Sequence, residues 1–210
     1  MRKRNLILLS PLAMLALSNA SIRIAERFLG VWAWVPWIII YWGFLFILVL
    51  YGGGTAAIRR WMAPPTGSWL WSALAILLAL PALTMLLSSS ALLRPVAIWV
   101  PWLIVGLVNP FAEEWYWRGL LLDTAKAWSN WLVIPLVSVF FSLNHLLGIG
   151  VTSVGGRSPM LLINAFVLGV VYSLIYTRTH SLRWIIVAHI ITDLIGLSVP
   201  VFLNLWVPPG

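Results

Sequence analysis

The sequence predicts an all-α, polytopic bundle of membrane-spanning helices, with about seven spans and a cytoplasmic N-terminus. Three observations predict it. Hydrophobic residues make up 62% of the 210-residue chain and charged residues only 9%, with a mean hydropathy of +1.00. A soluble domain carries roughly 25% charged residues, so the outer surface here suits lipid rather than water. Apolar runs of about 20 residues recur along the chain, long enough to cross a bilayer as helices. No short alternating segments of the kind that build membrane β-barrels are visible.

The runs are 5–22, 31–51, 69–88, 96–122, 131–148, 160–177 and 183–203. Chain breakers separate several of them: Gly52-Gly53-Gly54, Pro64-Pro65, and Gly155-Gly156 with Ser158-Pro159. The first run has two readings. Arg2-Lys3-Arg4, an apolar stretch and Ser18-Asn19-Ala20 resemble a signal peptide, but continuation into a multi-span chain favours a retained anchor. No repeat or soluble linker is found, so one membrane domain is expected, with N-terminal transmembrane helices over 1–95 and a transmembrane core over 96–210.

Orientation follows from the basic residues. Arg2, Lys3, Arg4, Arg59, Arg60, Lys126, Arg178 and Arg183 fall on one side, and Arg23, Arg27, Arg94 and Arg157 on the other. The richer side is cytoplasmic. The net charge of +8 is thereby a membrane feature, and nucleic acid is not expected as a partner. The fifteen Trp residues cluster near span ends, as in Trp32, Trp34 and Trp37, or Trp128 and Trp131, and read as an interfacial belt. The absence of cysteine excludes disulfides, a thiolate nucleophile and Cys-ligated zinc.

Few residues remain to carry chemistry. Glu26 is expected in a loop, Asp123 at a span end and His180 in a turn, none with a chemical role. Glu113, Glu114, Arg118, His145, His189 and Asp193 fall inside spans. Each costs roughly 2.5–3.5 kcal/mol at the bilayer centre on insertion scales, so mutual pairing in a polar cavity is expected. Glu114 and Arg118 are four residues apart and share a helix face, as do His189 and Asp193. Glu113 points about 100° away from Glu114 and must find partners elsewhere. Asn109-Pro110 should kink or break the fourth span, and irregular backbone at membrane depth lines cavities. By helical rise, Glu113 and His189 lie in the cytoplasmic half, while His145 lies nearer the outer end of its span, a gap of roughly 10 Å. Phe141 is expected to pack beside His145, and loop 149–159 to act as a connector.

Glu113-Glu114-Trp115-Tyr116-Trp117-Arg118 matches an EExxxR pattern, Phe141-Ser142-Leu143-Asn144-His145 an FxxxH pattern, and His189-Ile190-Ile191-Thr192-Asp193 an HxxxN/D pattern. In this order the three resemble the CPBP family, the CAAX proteases and bacteriocin-processing enzymes also called the Abi group. The resemblance covers about 96–203. It implies an intramembrane endopeptidase acting on a membrane-associated peptide or protein, in the plasma membrane of a bacterium or archaeon. It makes Glu113 and His145 the catalytic pair, with His189 and Asp193 stabilising the transition state. The residues themselves agree: Glu113, free of the Arg118 pair, could act as general base, His145 could orient water, and His189 could face an oxyanion. Glu114 and Arg118 support the site. Many relatives carry Asn where this chain has Asp193, so Asp193 is protonated, orients His189 or binds a metal. No cofactor is favoured, although two histidines with carboxylates could hold zinc. Two other function classes fit the same residues. A proton-coupled transporter would use them as a relay, yet the repeat symmetry common in transporters is missing. A non-catalytic immunity or assembly protein would not need intact motifs.

Overall fold

The computed structural model describes residues 2–207. Every apolar run predicted from the sequence is found as helix, and no strand occurs among the described residues. The helices are α1 (Arg2–Leu29), α2 (Trp34–Gly52), α3 (Gly54–Trp61), α4 (Trp69–Ala79), α5 (Leu83–Ser89) and α6 (Trp99–Glu114). They continue with α7 (Leu122–Ala125), α8 (Asn130–Leu147), α9 (Pro159–Thr179), α10 (Arg183–Ile195) and α11 (Ser198–Phe202). A wide π-helical turn, Trp115–Leu121, joins α6 to α7.

Five stretches are both long and apolar enough to cross a bilayer: Lys3–Gly52, Trp69–Leu93, Val96–Ala125, Asn130–Val151 and Pro159–Thr179. The first contains two of the predicted spans. Gly30, at φ +52°, turns the chain between α1 and α2, and Ile7 at the start of α1 meets Gly52 at the end of α2. The pair is therefore an antiparallel hairpin. The last predicted run is divided. The 13 residues of α10 rise only about 20 Å, against a hydrocarbon core of roughly 30 Å. Leu197, in the left-handed region at φ 53°, then breaks the chain before α11.

Three expectations change. Glu26 lies on an exposed turn of α1 rather than in a loop, because α1 runs on to Leu29. Trp34 and Trp37 are buried, at 3% and 4% exposure, while Trp32 and Trp131 are exposed at 50% and 92%. Trp34, Trp37, Tyr41, Leu45 and Val49 recur at helical spacing and form the inner face of α2, so only part of the tryptophan set can be an interfacial belt. The third change concerns Pro110. α6 runs straight through it, and the irregular backbone follows one turn later at Trp115–Leu121. Such turns are rare, and they mark functional sites more often than chance.

Close approach is arranged by glycines. A Cβ on Gly106 would strike the Leu194 side chain, so glycine lets α6 and α10 touch. Gly119 stacks against the Trp61 ring and draws the wide turn onto α3. Gly169 meets Ser138 and brings α9 against α8.

The basic residues sort by end as the sequence count required. Lys3 lies over Tyr51, Arg4 over Trp128 and Arg178 over Trp71. Arg60 pairs with Asp123, and Arg183 donates to the Met62 carbonyl. At the opposite end, Arg23 bonds Asn19, which holds the Leu147 carbonyl. There the connector 149–159 is packed rather than loose: Ser153 donates to the Val201 carbonyl, and the Val154 N–H donates to Asn204.

Candidate active site

Four of the in-span ionisable groups converge with Arg118 at the junction of α6, the wide turn and α10. Glu113 and Glu114 are the last residues of α6, Arg118 lies in the wide turn, and His189 and Asp193 lie one turn apart on α10. Glu113, Glu114, Arg118 and His189 are at most 8% exposed. Charges buried this deeply persist only when paired and hydrogen-bonded, and here they are paired with one another.

The pairing divides as the helical spacing predicted. Arg118 Nη1 donates to Glu114 Oε1 at 2.9 Å. His189 Nδ1 lies 2.7 Å from the same oxygen. Since a carboxylate oxygen accepts, that ring nitrogen carries a proton, and a second one on Nε2 makes the ring an imidazolium. Glu114 thus joins the Arg118 guanidinium to the His189 ring and sets the ring's orientation. The guanidinium also stacks 4.3 Å from the centre of the Phe141 ring, a cation–π contact that helps hold a charge away from water.

The other edge of the imidazole faces the second carboxylate. His189 Nε2 is 3.5 Å from Glu113 Oε2 and 3.5 Å from Asp193 Oδ1. Glu113, left without a partner on its own face by the sequence, obtains two donors. The Tyr41 hydroxyl donates to Oε1 at 2.7 Å, and Asn109 Nδ2 donates to Oε2 at 3.1 Å. The Asn109 amide also donates to Asp193 Oδ2 at 3.2 Å, and its oxygen accepts from the Trp42 indole at 3.0 Å. Because an indole N–H only donates, this bond fixes which end of the amide faces the carboxylates. Trp117 Nε1 donates to the Tyr41 hydroxyl at 3.3 Å.

His145 does not join this cluster directly. It makes no ion pair or hydrogen bond with Glu113 among the described residues. Its Nδ1 donates to the Phe141 carbonyl at 2.9 Å, which leaves Nε2 as the free acceptor. The Phe141 ring lies between, 4.9 Å from the His145 ring centre and 6.4 Å from that of His189. His145 and Asp193 are partly exposed, so the site opens on their side.

Among the described residues, no three His, Asp or Glu side chains are placed to hold a metal ion. His189 is engaged through Nδ1 by Glu114, and its Nε2 contacts with the carboxylates are 3.5 Å long.

The residues set aside as lacking chemistry stay apart. Asp123 accepts from Arg60, Trp61 and Tyr176, tying α3 and α9 to the end of the wide turn. His180 caps α9 in the left-handed region at φ 51°. Three site residues were missed from the sequence: Tyr41, Asn109 and Trp117. Asn109 sits one turn before Glu113, and that spacing was a signal that went unused. Tyr41 and Trp117 offered none, because aromatic residues in an apolar span read as packing.

No curated protein and no solved structure matches the chain. A family model does: residues 94–195 match the type II CAAX prenyl endopeptidase Rce1-like family. That interval contains all three sequence patterns and every ionisable residue of the cluster. Over residues 94–195, just under half of its length, this integral membrane chain is similar to the Rce1-like family of type II CAAX prenyl endopeptidases.

Proposed function

We propose that the protein is an intramembrane endopeptidase that hydrolyses a peptide bond with a water molecule activated by Glu113 and His145. The family acts on peptides or proteins at the membrane. The observation that carries the residue-level reading is the division of labour between adjacent glutamates. Glu114 is consumed by Arg118 and His189, whereas Glu113 takes its hydrogen bonds from the neutral Tyr41 and Asn109 and meets His189 only at 3.5 Å.

Water enters beside Asp193 and His145. Glu113 takes a proton from it as the water oxygen attacks the scissile carbonyl carbon. His145 Nε2, the free acceptor, holds the water's second hydrogen and fixes its direction. The carbonyl oxygen gains negative charge, and an N–H at His189 Nε2, oriented from behind by Glu114, faces it. The tetrahedral carbon collapses with cleavage of the C–N bond. Glu113 returns its proton to the departing amine, so the residues end as they began. Asp193 shares Asn109 and His189 with Glu113. It serves to set His189 rather than to accept the substrate's proton.

The test uses purified protein in vesicles carrying a prenylated CAAX peptide. Glu113→Gln keeps the shape and removes the base, and turnover should fall by about 10²- to 10⁴-fold with the thermal midpoint in detergent preserved. Full activity of the folded variant would overturn the mechanism.

A further inference from the structure

We infer that α2 is part of the catalytic apparatus: the consecutive residues Tyr41 and Trp42 set the position of the Glu113 carboxylate, one for each of its oxygens. The inference rests on the proposed role of Glu113, and it assigns function to a helix outside the family match, which begins at residue 94.

The geometry points to it in three steps. Tyr41 holds Oε1 directly at 2.7 Å. Trp42 acts on Oε2 through Asn109, since its indole bonds the amide oxygen and leaves Nδ2 facing Glu113. Each support is itself supported. Trp117, in the wide turn, donates to the Tyr41 hydroxyl and directs its hydrogen toward Glu113. The Tyr41 ring stacks on Trp37 at 5.5 Å between centres and 4° between planes. Tyr41 is 2% exposed and Trp37 4%.

Trp37 extends the arrangement to the second catalytic element. A Cβ on Gly148 would lie 2.5 Å from the Trp37 ring. That glycine ends α8 three residues after His145. One face of α2 therefore touches the end of the helix that carries His145 and, one turn further along, the carboxylate of Glu113. Two groups that make no direct bond to each other are referenced to a common rigid element. A catalytic base misplaced by about 1 Å loses on the order of 10²-fold in rate, so this reference has a kinetic consequence.

Tyr41 and Trp42 are positioning residues and need not touch substrate. Tyr41→Phe and Trp42→Phe remove one hydrogen bond each and keep the rings. In vesicles with the prenylated peptide, each should lower kcat by about 10- to 100-fold and leave KM within about 2-fold. In a Glu113→Gln background neither should lower the residual rate further. Trp32→Phe, at a half-exposed position before α2, should leave kcat unchanged. Infrared difference spectra of the Glu113 carboxylate, isolated by subtracting Glu113→Gln, should shift in both variants, and this readout needs no turnover. Unchanged kcat and unchanged carboxylate bands in both variants would overturn the inference while leaving Glu113 as base. A raised KM with unchanged kcat would overturn it too, by assigning α2 to substrate binding. A fully active Glu113→Gln would instead overturn the underlying mechanism, and the infrared result would then still decide whether α2 holds the carboxylate.

Discussion

The segment 94–195 and the helices before it are built from different chemistry. The family-matched segment holds Glu113, Glu114, Asp123 and Asp193, four of the five acidic residues, and all three histidines. The helices before it hold one acid, the exposed Glu26. What they offer the interior is neutral: the Tyr41 hydroxyl, the Trp42 indole, and Ser10 and Ser18, which bond Tyr116 and Asn144. The difference teaches that charge is concentrated where charges can pair, and that orientation comes from groups cheap to bury. A tyrosine or tryptophan brings one polar atom on a large apolar body, so a single hydrogen bond satisfies it.

The division can be broken at its charged side first. Arg118→Met removes a guanidinium of similar length and leaves Glu114 buried with only His189. Losing one member of a buried pair costs about 3–5 kcal/mol. The thermal midpoint in detergent should fall sharply, and activity should go with it. An unchanged midpoint would mean that Glu114 does not depend on Arg118.

The seam between the two regions should give a smaller effect. Gly119→Ala places a methyl group about 2.8 Å from the Trp61 ring. Overpacking of this kind costs about 1–3 kcal/mol, and the wide turn that carries Arg118 should shift with it. Reduced stability with a partial loss of kcat is expected, and Trp61→Leu should restore part of both by making room.

The rim should matter least. Asp123→Asn keeps an oxygen for the Trp61 indole, turns an amide N–H toward the Tyr176 hydroxyl, which can accept it, and loses the ion pair with Arg60, a side chain that is 64% exposed. Exposed pairs contribute about 0–1 kcal/mol. The midpoint should move by that little and kcat should not change. A large loss of kcat would place Asp123 in the chemistry and redraw the division.

Much of this was legible in the sequence because one physical rule governs it. A charge in lipid is costly, so Glu113, Glu114, Arg118, His189 and Asp193 advertised themselves by being there at all. Helical spacing also separated the Glu114–Arg118 pair from Glu113 correctly. The tryptophans behaved otherwise. With apolar neighbours on every side, nothing in the composition of the stretch leading into α2 distinguishes Trp32 from Trp34, and only packing shows which is inside. Pro110 misled for a related reason. A proline removes one hydrogen bond, but whether the helix breaks there depends on what surrounds it.

The sequence by itself therefore determined the solvent, the helical architecture, the sorting of basic residues by end, and the short list of groups that must meet. Those follow from transfer energies and from periodicity, which are local. Only the tertiary structure decided which groups meet whom: that His189 is shared between two glutamates, that His145 stands behind Phe141, and that Tyr41 closes on Glu113 across 72 residues of chain. Hydrogen-bond partners on different helices carry no spacing signal, because their approach is set by where small residues such as Gly106 and Gly119 let the helices touch.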